Sequence, residues 1–175
     1  MSLFASALLF ASVSAPLAAQ DAWHRYSTPE GIGSFEVPCS ADIVDKQAGP
    51  LGDAVMCETD GLIYTAAVLP VRLLAPDDLS AEELNAYDFE AFEAEAAGDP
   101  ELADFLAVEA GGMPGFYVAS TPSATVSRML AHDLGNGEAL LLLAMSNDVI
   151  TDTPDGMALG KDADRFLLSF KVTLR

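Results

Sequence analysis

The chain has 175 residues, of which 51% are hydrophobic and 20% charged, the length and balance of one globular domain rather than of a disordered chain or a multidomain enzyme. Its 27 Asp and Glu against 8 Lys and Arg give a formal net charge of −19. Such a field argues against nucleic-acid binding, which needs clustered cations on phosphates, and against adhesion to anionic lipid through a basic patch.

Residues 1–19 carry no charged side chain, run apolar from Leu3 to Val13 and end in the small residues Ala18 and Ala19. That is the pattern of a secretory signal peptide, although no Lys or Arg strengthens its start. The apolar part falls short of the ~20 residues that a spanning helix needs, and Pro16 follows it. Ser2, Ser6, Ser12 and Ser14 do not gather on one side, as the polar face of an N-terminal core helix would require. No Cys stands at the cleavage region to carry a lipid. The expected division is a signal peptide over 1–19 and a single domain over 20–175, exported to the periplasm with no membrane anchor after cleavage.

The two cysteines, Cys39 and Cys57, both fall in the mature part. In an oxidising compartment such a pair reads as a disulfide, with free buried thiols as the competing reading. Neither has a second Cys or a His at ligand spacing, and no C-x-x-C is present for thiol exchange.

Gly33 to Val37 alternates small or apolar with polar residues and is stopped by Pro38, which predicts a short strand. Ala54 to Glu58 and Leu62 to Val68 are rich in strand formers and flank Thr59-Asp60-Gly61, a hairpin signal. Pro70 and Pro76 bracket a loop, after which Ser80-Ala81-Glu82-Glu83 forms a capping box. A helix is expected from Ala81 to Gly98, carrying Leu84, Tyr87, Ala91, Phe92 and Ala96, with a shorter one over Glu101 to Leu106. Gly111, Gly112, Pro114 and Gly115 break the chain before a strand over Phe116 to Ala119. Thr125 to Leu134 and Ala139 to Met145 flank Gly135-Asn136-Gly137 and predict a second hairpin. Ser146 to Gly160 reads as a polar loop, Lys161 to Phe170 as a last helix and Lys171 to Leu174 as an edge strand. Together these elements predict an α+β fold: an antiparallel sheet with a central and a C-terminal helix packed on it.

Candidate chemistry is sparse. His24 and His132 are the only histidines, and neither sits in a zinc-ligand spacing. A triad from Ser127 or Ser146 with His132 and Asp133 lacks a G-x-S-x-G elbow, and adjacent strand residues point to opposite faces. No phosphate-binding glycine motif follows a strand. Asp148, Asp152, Asp155 and Gly156 resemble a calcium loop only in composition, because the D-x-D-x-D-G spacing is not met. Trp23, Tyr64 and Tyr117 read as core or sheet-face aromatics. No catalytic residue, metal site or cofactor is assigned.

The unusual feature is acidic. Between Arg72 and Arg128 there is no Lys or Arg, while twelve carboxylates fall there, from Asp77 and Asp78 to Glu109. One reading is a solvated surface that keeps the protein soluble. The other is a docking face for a basic protein partner, with Glu82, Glu83, Glu90 and Glu93 as its candidate residues.

The order of elements also resembles a known family. Phe35 to Pro38, the hairpin ending in Leu69-Pro70, the central helix, the strand entry at Gly112 to Gly115 and the closing Asp164 to Lys171 look like the PsbP-like α/β sandwich. That family includes exported bacterial domains, and the resemblance implies a scaffold that binds or assists other proteins without a catalytic residue. The function expected from sequence is an exported periplasmic accessory or binding domain without catalytic activity, with its acidic helix or a sheet face as contact surface. The alternatives are an inhibitor of a basic extracytoplasmic enzyme, such as a cell-wall hydrolase, and a cryptic hydrolase.

Overall fold

The computed structural model describes residues 23–40, 44–49, 52–59, 61–122 and 124–173. The signal segment 1–19, Asp60 of the first turn and Leu174 of the last strand lie outside the described residues. Strands β1 (His24–Ser27), β2 (Gly33–Val37), β3 (Asp45–Gly49), β4 (Gly52–Glu58) and β5 (Ile63–Pro70) come first. Helices α1 (Ala81–Ala86) and α2 (Phe89–Gly98) follow, then β6 (Leu102–Ala110), β7 (Met113–Ser120), β8 (Thr125–Asp133) and β9 (Glu138–Ile150). Helix α3 (Pro154–Leu168) and β10 (Lys171–Val172) close the chain.

The fold is α+β and antiparallel, as expected, but it has two sheets rather than one. A three-stranded sheet runs β1-β2-β10 and a seven-stranded sheet runs β3-β4-β5-β9-β8-β7-β6. Both expected hairpins form: β4 pairs with β5, closed by the Thr59 amide donating to the Leu62 carbonyl (3.0 Å), and β8 pairs with β9. No described helix is long and apolar enough to cross a membrane.

Four expectations are corrected. The helix expected from Ala81 to Gly98 is two helices, because Asp88 acts as a second N-cap and accepts from the Ala91 amide (3.0 Å). The segment Glu101 to Leu106 is not helical; Leu102–Ala110 is a strand paired with β7. Its helix-forming residues are overruled by the turn that follows, where Gly111 (φ +60°) and Gly112 (φ +82°) supply the left-handed conformations of a two-residue hairpin. Strand β7 accordingly begins at Met113; pairing with β8 starts only at Gly115, so Pro114 sits where β8 asks it for no amide. Ser146 to Gly160 is not a loop. Strand β9 continues to Ile150, and α3 starts at Pro154, behind Thr153, whose hydroxyl accepts from the Gly156 amide (3.0 Å).

Side chains alternate along a strand, so the register decides which residues share a face of the large sheet. On the inner face, Val55, Ala66, Leu142, Leu130 and Tyr117 form one row, and Cys57, Tyr64, Ala144 and Arg128 the next. Against it pack Phe35, Val37 and Cys39 of the small sheet region and Ala163, Phe166 and Leu167 of α3. Phe166 meets Phe35 (5.5 Å) and Tyr64 (5.3 Å) edge-on, contacts worth about 1 kcal/mol each beyond burial. The Cys39–Cys57 disulfide is formed, Cα to Cα 6.3 Å, and ties the end of β2 to β4 inside this core. Phe170, expected in the last helix, lies between α3 and β10, where it packs against Gly33 and the His132 ring (5.4 Å) and so bridges the two sheets.

Candidate functional site

The outer face of the large sheet is covered unevenly. Helix α2 lies over β6 and β7, where Phe89 and Phe92 close on Phe116 (5.6 and 5.1 Å) and Phe105 stacks on the same ring (5.4 Å). Val71, Phe89, Ala96, Phe116, Val118 and Ala131 are buried there. The buried cluster reaches Ala131 of β8 and Ala139 and Leu141 of β9 on the same face, and the cover thins beyond them towards β5 and β4. One register row there is Met56, Thr65, Leu143 and Met129, and all four are half-buried. The row on one side holds half-buried Ala54 and Ala67 and runs on into buried Leu141 and Ala131, and the row on the other holds Ile63, Met145 and Ser127, all half-buried. An antiparallel sheet with one solvated face alternates apolar and polar residues. Here β9 reads Ala139-Leu140-Leu141-Leu142-Leu143-Ala144-Met145 without a break, the pattern of a strand that is covered on both sides.

Carboxylates border this surface. At the end formed by β4 and β9, exposed Glu58 and Asp148 line a cleft of about 350 Å³ together with Ile63 and Met145. At the other side stand the helices on which the acidic docking residues were expected. Glu82 and Glu83 belong to α1, and Glu90 and Glu93 to α2, so they do not share one helix face. Glu82, Glu83 and Glu90 are exposed and Glu93 is half-buried. Glu83 is already engaged: its carboxylate accepts from the Ser80 amide (2.9 Å) while its own amide donates to the Ser80 hydroxyl (3.3 Å), and these bonds to Ser80 hold its pKa below the usual range. Tyr87 donates to Glu95 (2.7 Å), and burial together with that carboxylate raises the phenol's pKa.

The residues weighed for hydrolysis are kept apart. His132 lies on the inner face against Phe170, 1% exposed, with neither ring nitrogen hydrogen-bonded. Burial lowers its pKa, and the backbone of Pro114 and Met113, close to the ring but outside hydrogen-bond geometry, acts in the opposite sense. Ser127 is on the outer face, and Ser146 is buried with its hydroxyl accepting from the Val149 amide (3.4 Å). The Asp133 carboxylate accepts from the Gly135 amide (2.8 Å) in the hairpin turn. His24 is exposed on β1. Asp148 sits in β9, Asp152 in the turn after it and Asp155 in the first turn of α3, so no calcium loop forms from them. Among the described residues no group of three His, Cys, Asp or Glu is placed to hold a metal ion.

The aromatics singled out in the sequence serve packing. Tyr64 is buried, Trp23 carries the Arg165 guanidinium 4.1 Å above its ring, and Tyr117 donates to Asp164 (2.9 Å). Asp164 also meets Arg128 (3.3 Å), whose guanidinium donates to the Ser120 hydroxyl (3.2 Å) and the Ser127 carbonyl (2.8 Å).

No protein-family model matches the chain, and no curated protein matches it. The PsbP-like resemblance therefore rests on the order of elements. Among solved structures the chain is similar to LpqN, described as involved in cell envelope biogenesis of Mycobacterium tuberculosis. The identity is 14%, the match covers 90% of this chain and 88% of that one, and the TM-score is 0.31. A likeness at that level assigns neither a family nor a role. The contact surface expected from sequence is the acidic helix or a sheet face, with no sheet residue named; the unbroken apolar run of β9 is the signal that points to Met56, Thr65, Met129, Leu143 and Met145.

Proposed function

We propose that this chain is an exported, non-catalytic accessory domain of the cell envelope, which works by holding a protein partner on the outer face of its large sheet. The observation that carries the reading is that face: a half-buried, mostly apolar surface formed by Met56, Ile63, Thr65, Met129, Leu143 and Met145 beyond the cluster under α2, on a scaffold stapled by Cys39–Cys57. The disulfide fits an oxidising compartment. A contiguous apolar patch rimmed by polar groups is one way in which soluble domains mark a protein contact.

Photo-crosslinking in intact cells tests this. With a benzophenone side chain at position 143, cells exporting the protein should yield a discrete adduct that is absent when the label replaces Leu168, an exposed residue on α3. Equal labelling from both positions, or no adduct from position 143, would overturn the reading.

A further inference from the structure

The outer face also restricts what the partner presents. It is a sheet surface roofed beside α2 as far as buried Ala131 and Leu141, beyond which Met56, Ile63, Thr65, Met129, Leu143 and Met145 are only half-buried and could take a second layer. A single helix seated there would complete the roof, since a helix on a sheet buries one apolar stripe. The rows it would meet hold three methionines, Met56, Met129 and Met145, whose unbranched side chains repack around different apolar shapes.

Carboxylates border this face as they do much of the described surface, and cations are few beside it. Exposed Glu58 and Asp148 stand at one end and Glu82, Glu90 and Glu93 on the neighbouring helices, with Arg72 as the cation near α1. The other described cations lie elsewhere. Arg25 pairs with Glu36 (2.7 Å), Arg165 and Lys171 act on that same carboxylate, and Lys161 lies beside Arg165 on α3. Arg128 is on the inner face, tied to Asp164, and Lys46 pairs with Val55 on β4. A second copy of the chain would bring like charges to this rim, whereas a cationic one would be drawn to it.

We propose that the outer face over β8, β9, β5 and β4 receives an amphipathic helix of the partner protein, apolar on one stripe and flanked by Lys or Arg, laid beside α2. This rests on the accessory role above and specifies its ligand.

The test uses the exported protein with isotope-labelled methionine methyls and a synthetic Leu/Lys amphipathic helix as probe, with a Leu/Glu helix of the same pattern as control. The methyls of Met56, Met129 and Met145 should shift with the Leu/Lys helix, that of Met157 on α3 should not, and the Leu/Glu helix should leave all of them in place. Leu143→Gln should weaken binding about tenfold, the effect of losing one buried leucine contact, and Leu168→Gln should leave it unchanged. Thr65→Arg, at a half-buried polar position, provides a second variant that opposes the probe's charge; it too should weaken binding. Shifts centred on Met157, equal affinity of the Leu143 and Leu168 variants, or a dimer that already covers the three methyls would each overturn the proposal. If the crosslink from position 143 persists while the Leu/Lys helix fails to bind there, the helical ligand is refuted and the accessory role stands.

Discussion

Replacing His132 by leucine should remove an acid sensitivity built into the inner core. The wild-type ring is 1% exposed, lies against Phe170 and has no hydrogen-bond partner for either nitrogen. Its pKa is lowered, chiefly by burial, so the folded state resists the proton that the unfolded chain accepts below an ordinary histidine pKa near 6.5. Stability is therefore fully present above about pH 7 and falls with pH through that value, until the folded-state pKa is reached. A ring that stays neutral throughout costs up to about 2 kcal/mol by pH 5, from RT ln(1 + 10^1.5). Every other ionisable group is common to the two proteins and cancels in the comparison. Urea unfolding of wild type and His132→Leu at pH 7.5 and pH 5 reads the difference directly. At pH 7.5 the variant should be more stable by about 1 kcal/mol, because two unsatisfied buried nitrogens are gone. Between pH 7.5 and pH 5 it should gain up to about 2 kcal/mol more on wild type. Parallel stabilities at the two pH values, or a wild type that gains on the variant in acid, would refute the reasoning.

Three further effects follow from the packing. Cys39 and Cys57 close a loop with a sequence separation of 18, so Cys39→Ala with Cys57→Ala should lower the unfolding free energy by about 3 kcal/mol, and reduction of the wild type should do the same in a urea titration. Gly115→Ala forces a methyl onto the Ala131 carbonyl and the His132 ring; a loss of at least about 2 kcal/mol is expected in thermal melts, and a neutral result would mean that β7 and β8 are not so closely apposed. Ser80→Ala removes the hydroxyl that accepts from the Glu83 amide, so amide exchange in α1 should quicken by a free energy of about 1 kcal/mol while the rates in β8 and β9 stay unchanged.

Much of this architecture was legible where turn chemistry or a cap fixed the backbone. Gly135-Asn136-Gly137 announced the β8–β9 hairpin, and Ser80 with Glu83 announced the start of α1. The signals for Gly111-Gly112, for Asp88 and for Thr153-Pro154 were equally local, yet they were outweighed by the helix formers from Glu101 to Leu106 and by the polar character of Ser146 to Gly160. At Leu102–Ala110 pairing with β7 overrides propensity, since a strand on a sheet gains a ladder that a short exposed helix does not. The burial of His132 was not readable, because an inner position in β8 depends on Phe170 arriving from the far end of the chain. The outer face was half readable: the apolar run in β9 points to a strand with two apolar faces, but only the placement of α2 over β6 and β7 shows which of them is incompletely covered.

Methionine oxidation in the cell tests the central claim most directly. Intact cells exporting the protein would be treated briefly with peroxide, and the sulfoxide at each methionine compared by mass spectrometry with that of the purified protein under the same dose. A partner seated on the outer face predicts that Met56, Met129 and Met145 are protected in the cell, while Met157, 55% exposed on α3, oxidises alike in both. Equal oxidation of all four in cell and test tube would contradict the account.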